Sequence, residues 1–233
     1  MHALMPHHWL SLLCLVLTLG LYGLAKRLYA RFRRRWLTPL VFVPTMLALF
    51  LIVAGVPYPV YLRDTGWLAW LLGPTTVAFA VPIYECRDII RRHWLALSIG
   101  VSVGVLSAVA GSFGLARLFD LSPELSRALA IRSISTPFAL LVSDQVGTSR
   151  DLTALLVIIT GLVGMALGEL VMLLLPLRSR IAKGALFGAA AHGVGTARAR
   201  EMGSEEGVVA SLTMMIAGVV TVLIAPLLAL LLR

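Results

Sequence analysis

The chain has 233 residues, of which 59% are hydrophobic and only 13% charged. A soluble domain carries about one charged residue in four, so there are too few here to clothe a water-facing surface, and a soluble globular domain is excluded. The formal net charge of +9 would suggest nucleic acid in a soluble protein, but the basic residues fall in short clusters between long apolar runs, as topology signals do. The expected class is an all-α polytopic membrane protein with the lipid bilayer as its solvent and no nucleic-acid partner.

A spanning helix needs roughly 20 apolar residues, since it rises about 1.5 Å per residue through a core of about 30 Å. Spans are expected at Trp9 to Ala25, Leu37 to Ala54, Trp67 to Tyr84, Trp94 to Ala116, Leu152 to Leu175 and Val208 to Leu232. Charge follows the first apolar run rather than preceding it, and no small-residue cleavage site appears, so this run reads as a retained span rather than a signal peptide. Trp9, Trp36, Trp67 and Trp94 stand at run ends as interfacial anchors. Cys14 and Cys86 show no metal-ligand or C-x-x-C spacing and read as small buried apolar residues.

Two shorter segments, 124 to 142 and 184 to 198, are rich in Ser, Thr, Gly and Ala and are interrupted by Pro or Gly. The basic groups at Lys26 through Arg35, at Arg87, Arg91 and Arg92, and at Arg178, Arg180 and Lys183 belong on the cytoplasmic side, which puts the N-terminus outside. For the span at Leu152 to run inward, the first short segment must enter and leave on the outer side. The second is too short to cross and forms a second hairpin from the cytoplasmic side. The alternative is that one or both cross in broken form, giving seven or eight spans; over both readings, about six to eight membrane segments, broken or re-entrant helices included, make up a single domain, residues 1–233.

Irregular backbone at membrane depth is tolerated where it lines a cavity or is satisfied by protein. Three clusters have that composition. In Gly73-Pro74-Thr75-Thr76 through Pro82-Ile83-Tyr84-Glu85, each proline removes a helical donor, which either unwinds the span and offers Thr75 and Thr76 to a solute or merely kinks a packing helix. In Arg132-Ser133-Ile134-Ser135-Thr136-Pro137, a proline preceded by hydroxyls opens a helix N-terminus that attracts anions. Arg132 adds a permanent charge able to grip a carboxylate in a bidentate fork, unless it is an interfacial arginine reaching for head groups.

The third cluster, Gly188 through Glu201, contains His192, Gly193, Gly195, Thr196 and Arg198. The two glycines permit backbone conformations closed to other residues. His192 can carry a proton or donate a hydrogen bond, and Arg198 can hold a carboxylate or pair with Glu201. Glu85 is a second proton-coupling candidate or a partner of Arg87 or Arg91. Glu169 follows Gly161, Gly164 and Gly168, a stripe suited to close helix packing, and reads as a structural hydrogen-bonding group. Phosphate-loop, zinc-helix and nucleophile-elbow motifs are absent from the sequence, so no enzyme, metal or cofactor is expected; Ser135 with His192 is the one pair that an intramembrane enzyme could use.

At these clusters the chain resembles the LrgB/CidB family of bacterial membrane proteins, described as antiholin-like or as regulators of murein hydrolase export. The matching residues are Leu72 to Ala78 with Pro82-Ile83-Tyr84-Glu85, Ser133 to Pro137, and Ala191 to Arg198 followed by Glu201 and Glu206-Gly207. The resemblance covers nearly the whole chain; family members usually carry lysine where Arg132 stands, which keeps the charge and changes the geometry. It implies a bacterial inner membrane, a small LrgA/CidA-type membrane partner and, through a plastid relative that moves glycolate and glycerate and bacterial pairs associated with pyruvate, a small monocarboxylate substrate.

On that reading Arg132 and Arg198 hold the carboxylate. Thr75, Thr76, Ser135, Thr136, Thr196 and the amides around Gly193 and Gly195 complete the site, with His192 or Glu85 as proton carrier. Homo-oligomerisation is expected by analogy, because a moving transport element benefits from a stationary scaffold. The rival expectation is a regulator of cell-wall hydrolase release, needing interaction surfaces rather than a solute cavity.

Overall fold

The computed structural model describes residues 7–32, 34, 37–78, 80–85 and 87–231, without the side chains of 7, 8, 75, 76, 82 and 83. Among these residues every regular element is helical. Four helices are long and apolar enough to cross a membrane: α1 (His7–Phe32), α6 (Arg87–Leu118), α9 (Arg150–Leu174) and α11 (Ser204–Leu231). They contain four of the expected spans. The chain divides into two compact units, Met1–Thr75 and Thr76–Arg233.

In the first unit α1 is joined by α2 (Pro39–Val53) and α3 (Tyr58–Trp70). Ala25, Val43 and Leu47 form its buried core, with Leu17, Leu21, Phe42 and Tyr61 packed around them. The Ser11 hydroxyl donates to the Asp64 carboxylate, tying α1 to α3. At 15 residues, α2 is about 22 Å long and shorter than the bilayer core. Cys14 is buried, as expected; Trp36 and Cys86 lie outside the described residues.

The single span expected at Trp67 to Tyr84 is corrected. The stretch is divided among the end of α3, α4 (Leu72–Ala78) and α5 (Ala80–Glu85). Pro74 and Pro82 each fall at the third position of a short helix. There the missing N–H costs nothing, because first-turn amides have no carbonyl behind them.

The second unit is built around two hairpins. α7 (Pro123–Ile131) and α8 (Thr136–Val146) are the legs of the first. Their far ends are tied together: Arg127 Nε donates to the Gly147 carbonyl at 3.1 Å, Thr148 Oγ1 to the Glu124 carbonyl at 3.4 Å, and the Ser149 amide to Glu124 Oε1 at 3.3 Å. The chain therefore leaves where it entered. Ser122 caps α7, accepting from the Leu125 amide, and Gly147, at φ 73°, ends α8 in the left-handed conformation, which glycine adopts without a Cβ penalty. α9 begins at once, capped by Ser149.

The second hairpin is α10 (Arg180–Met202), which is broken at His192. A Cβ on Gly195 would collide with the carbonyl of Phe187, eight residues earlier, and lie 2.8 Å from Ala191 Cβ. In a continuous helix residues eight apart are separated by about 12 Å, so the return leg folds back on the entering one. Both legs pack on α11. Arg180 meets Glu205 at 3.2 Å, Gly184 and Gly188 abut Glu206, Val209 and Ala210, and the return leg places Arg200 beside Gly207 and Ser211.

α9 carries the chain from the base of one hairpin to the base of the other, so the two enter from opposite membrane faces. Ile134, Phe138 and Ala139 of the first pack with Val101 and Val105 of α6, Val157 of α9 and Ala217 of α11. Nearer its base, Val142 and Val146 meet Ala225 and Leu228 at the far end of α11.

Candidate site where the hairpin tips meet

α9 registers the two hairpins against each other. Gly164 abuts the backbone of Ala190 and Ala191, Gly168 the ring of Phe187, and Gly161 the Ala191 carbonyl and Val194. The small-residue stripe thus seats the entering leg and tip of α10 directly on α9. One residue before Gly161, Thr160 accepts a 3.0 Å hydrogen bond from Arg132 Nη1 at the tip of the first hairpin. Both tips therefore reach the same level of α9, about 15 Å from its start.

Arg132 follows the last residue of α7, and Ser135 is the N-cap of α8, extended at φ −68° and ψ 148°. Pro137 has no N–H, and the Ala139 amide is taken by the Ser135 carbonyl. The amides of Thr136 and Phe138 remain in the first turn, with the positive end of the helix dipole behind them. The His192 ring comes within hydrogen-bonding reach of the Ser133 backbone and within electrostatic reach of Arg132. The break at His192 also leaves the return leg starting at Gly193, so a second helix N-terminus opens at the same place.

What distinguishes this place is unmet hydrogen-bonding capacity. His192 is 3% exposed and Ser135 7% exposed. Among the described residues, Ser135 Oγ and Arg132 Nε are buried with no hydrogen-bond partner, and the buried His192 ring has at most the Ser133 backbone to pair with. Buried polar atoms are paired in the great majority of cases, and each orphan costs about 1–3 kcal/mol. Among the described residues the ion pairs are Asp144–Arg150, Arg180–Glu205, Arg198–Glu169 and Arg198–Glu201, so none neutralises Arg132. A half-buried guanidinium tethered by a single threonine hydroxyl, with no carboxylate partner among the described residues, is equipped to receive one from solution.

Arg132, Ser133 and Thr160 line a cavity of about 760 Å3 whose other walls are mainly apolar, among them Val105, Leu129, Leu156 and Val163, whereas Ser135, Thr136 and His192 are not among its lining residues. A few convergent polar groups in an apolar surround is the usual make-up of a small-molecule site.

The other expected residues are distributed differently. Thr136 opens α8 at the same tip, and Gly195 allows the two legs of α10 to touch. It is His192, at φ 48° and ψ −125°, that adopts the backbone conformation expected of the glycines. A Cβ on Gly193 would meet nothing within 4 Å. The Thr196 hydroxyl is buried 3.9 Å from Met214 Sδ. Arg198 is held by Glu169 at 2.8 Å and Glu201 at 3.0 Å, so its charge is already answered, and Glu169 is the structural partner expected of it. Glu85 is exposed at the end of α5, and the side chains of Thr75 and Thr76 lie outside the described residues. Thr160, embedded in the run Val157-Ile158-Ile159-Thr160-Gly161, is the site residue that sequence reasoning missed.

The family model of the LrgB-like family matches residues 18–231. The chain is 34% identical to "Uncharacterized protein YwbG" of Bacillus subtilis (strain 168), over 94% of this chain and 97% of the relative. It is 32% identical to "Holin-like protein CidB" of Staphylococcus aureus (strain N315), over 95% and 96%, and 29% identical to the protein of that name from Staphylococcus epidermidis (strain ATCC 12228 / FDA PCI 1200), over the same shares. No solved structure matches. With long apolar helices, two facing hairpins and a match across nearly its full length, the chain is a multi-pass membrane protein belonging to the LrgB-like family.

Proposed function

We propose that the protein moves a small monocarboxylate, of the pyruvate, glycolate or glycerate class, across the bacterial inner membrane through the site at the hairpin tips. The observation that carries the reading is Arg132, a half-buried cation at a hairpin tip without an ion-pair partner among the described residues, tethered only by Thr160 and with its Nε unpaired. The guanidinium holds the carboxylate, and Ser135, Thr136 and the first-turn amides of α8 and of the α10 return leg take its remaining oxygens. His192 is the proton carrier if transport is coupled. Thr196 and Glu85 have supporting places in the reading, whereas Arg198 braces the return leg. The role is transport rather than catalysis.

The proposed orientation puts the base of the first hairpin outside, because Arg178, Arg180 and Lys183 cluster at the base of the second, and the N-terminus outside, because Lys26 through Arg35 follow the first span. A small LrgA/CidA-type membrane protein and further copies of the chain are the proposed partners. The holin-like character for which two relatives are named favours a second reading, a regulator of cell-wall hydrolase release acting by assembly. The test is uptake of labelled pyruvate, glycolate, lactate and glycerate into proteoliposomes, with and without the small partner and an imposed proton gradient. Saturable uptake supports transport, by the chain alone or by the complex. No uptake by folded protein in any combination moves the assignment to the regulatory reading.

A further inference from the structure

We infer that Thr160 is a positioning residue for the anion site: its hydroxyl aims the Arg132 guanidinium without neutralising it. The inference rests on the reading that Arg132 receives the substrate carboxylate. Arg132 stands at the open end of α7, beyond its last helical residue, where the backbone constrains a long side chain least. The bond Nη1 to Thr160 Oγ1, at 3.0 Å, reaches across to a different helix, and Nε remains unpaired. An arginine uses at most five N–H groups, so one tether fixes the plane of the fork and leaves the others for a ligand.

The chemistry of the tether matters. Glu169 on the same helix answers Arg198 with a full negative charge, and an acid at position 160 would do the same to Arg132. A hydroxyl accepts the bond and leaves the charge intact. Thr160 also lines the cavity with Arg132 and Ser133, and the next residue, Gly161, bears on Ala191 and Val194 at either side of His192. Residues 160 and 161 thus hold both tips in register.

The experiment compares Thr160→Val, which keeps the shape and removes the acceptor, with Thr160→Ser, Thr160→Asp and Arg132→Gln. Labelled pyruvate uptake into proteoliposomes is measured alongside calorimetric titration of pyruvate into detergent-solubilised protein. Thr160→Val is expected to raise KM and Kd about 3- to 10-fold, the worth of one ordinary hydrogen bond, with maximal rate little changed. Thr160→Ser restores wild-type values, and Thr160→Asp abolishes binding as Arg132→Gln does, while remaining folded by thermal unfolding. Loss of pyruvate binding in Arg132→Gln with unchanged KM and Kd in Thr160→Val overturns this inference and leaves the site reading intact, as does wild-type binding in Thr160→Asp. Wild-type binding in Arg132→Gln, or no pyruvate binding and no uptake by the wild-type chain, overturns both together.

Discussion

Gly164 is where one methyl group tests the hairpin geometry most severely. An added Cβ would overlap the Ala190 carbonyl oxygen and sit 2.7 Å from its carbon, where ordinary contact begins at 3.4 Å, so the main chain must withdraw by well over 0.7 Å. No rotamer change relieves this, because both sides of the contact are backbone. The leg that must retreat leads directly into His192. Forced overpacking costs about 1–3 kcal/mol, and a loss of that size lowers the unfolding midpoint by about 2–12 °C in a chain of this length. Gly104, on the same cavity but with nothing within 4 Å of its added Cβ, is the matched control. Thermal unfolding in detergent and pyruvate titration should show Gly164→Ala destabilised and weakened in binding while Gly104→Ala is unchanged. Gly168→Ala, whose Cβ meets only the Phe187 ring at 3.0 Å, should fall between them. Equal midpoints for Gly164→Ala and Gly104→Ala would refute the close seating of α10 on α9.

Further outcomes follow from the same geometry. His192 holds a positive φ that only glycine adopts without strain, so His192→Gly should unfold at a higher temperature than His192→Ala, by about 1 kcal/mol, while both lose the ring; equal midpoints would contradict the strained tip. In a cysteine-free background, cysteines at Ser149 and Arg180 should react with a membrane-impermeant maleimide from opposite faces of oriented vesicles, and labelling from one face would contradict the facing hairpins. Glu169→Gln should destabilise the protein less in an Arg198→Gln background than in wild type, a coupling of about 1 kcal/mol by double-mutant cycle; strict additivity would show that the pair does not brace the return leg.

Hydropathy and punctuation made much of this architecture legible. α1, α6, α9 and α11 are each a long apolar run, and the hairpin tips coincide with Pro137 and the Gly-rich stretch around His192, because broken helices need residues that tolerate a break. The division of Trp67 to Tyr84 was less visible, since its apolar run continues through both prolines. Tertiary contacts were not legible at all. Thr160 looks like one more β-branched residue, a minor polar interruption in an apolar run, until Arg132 is seen across from it. Arg198 and Arg132 look equivalent as isolated arginines, and only the fold shows that Glu169 and Glu201 answer one while no acid among the described residues answers the other. Strain at His192 was likewise hidden, because two glycines flank a residue that does the turning itself.

Pyruvate uptake by Arg132→Gln and Arg132→Lys, against wild type at equal protein density in proteoliposomes, tests the central claim most directly. Removing the charge should abolish saturable uptake, and lysine, which keeps the charge without the fork, should restore it with a raised KM. Saturable uptake by Arg132→Gln at the wild-type KM would contradict the account and place the anion elsewhere in the molecule.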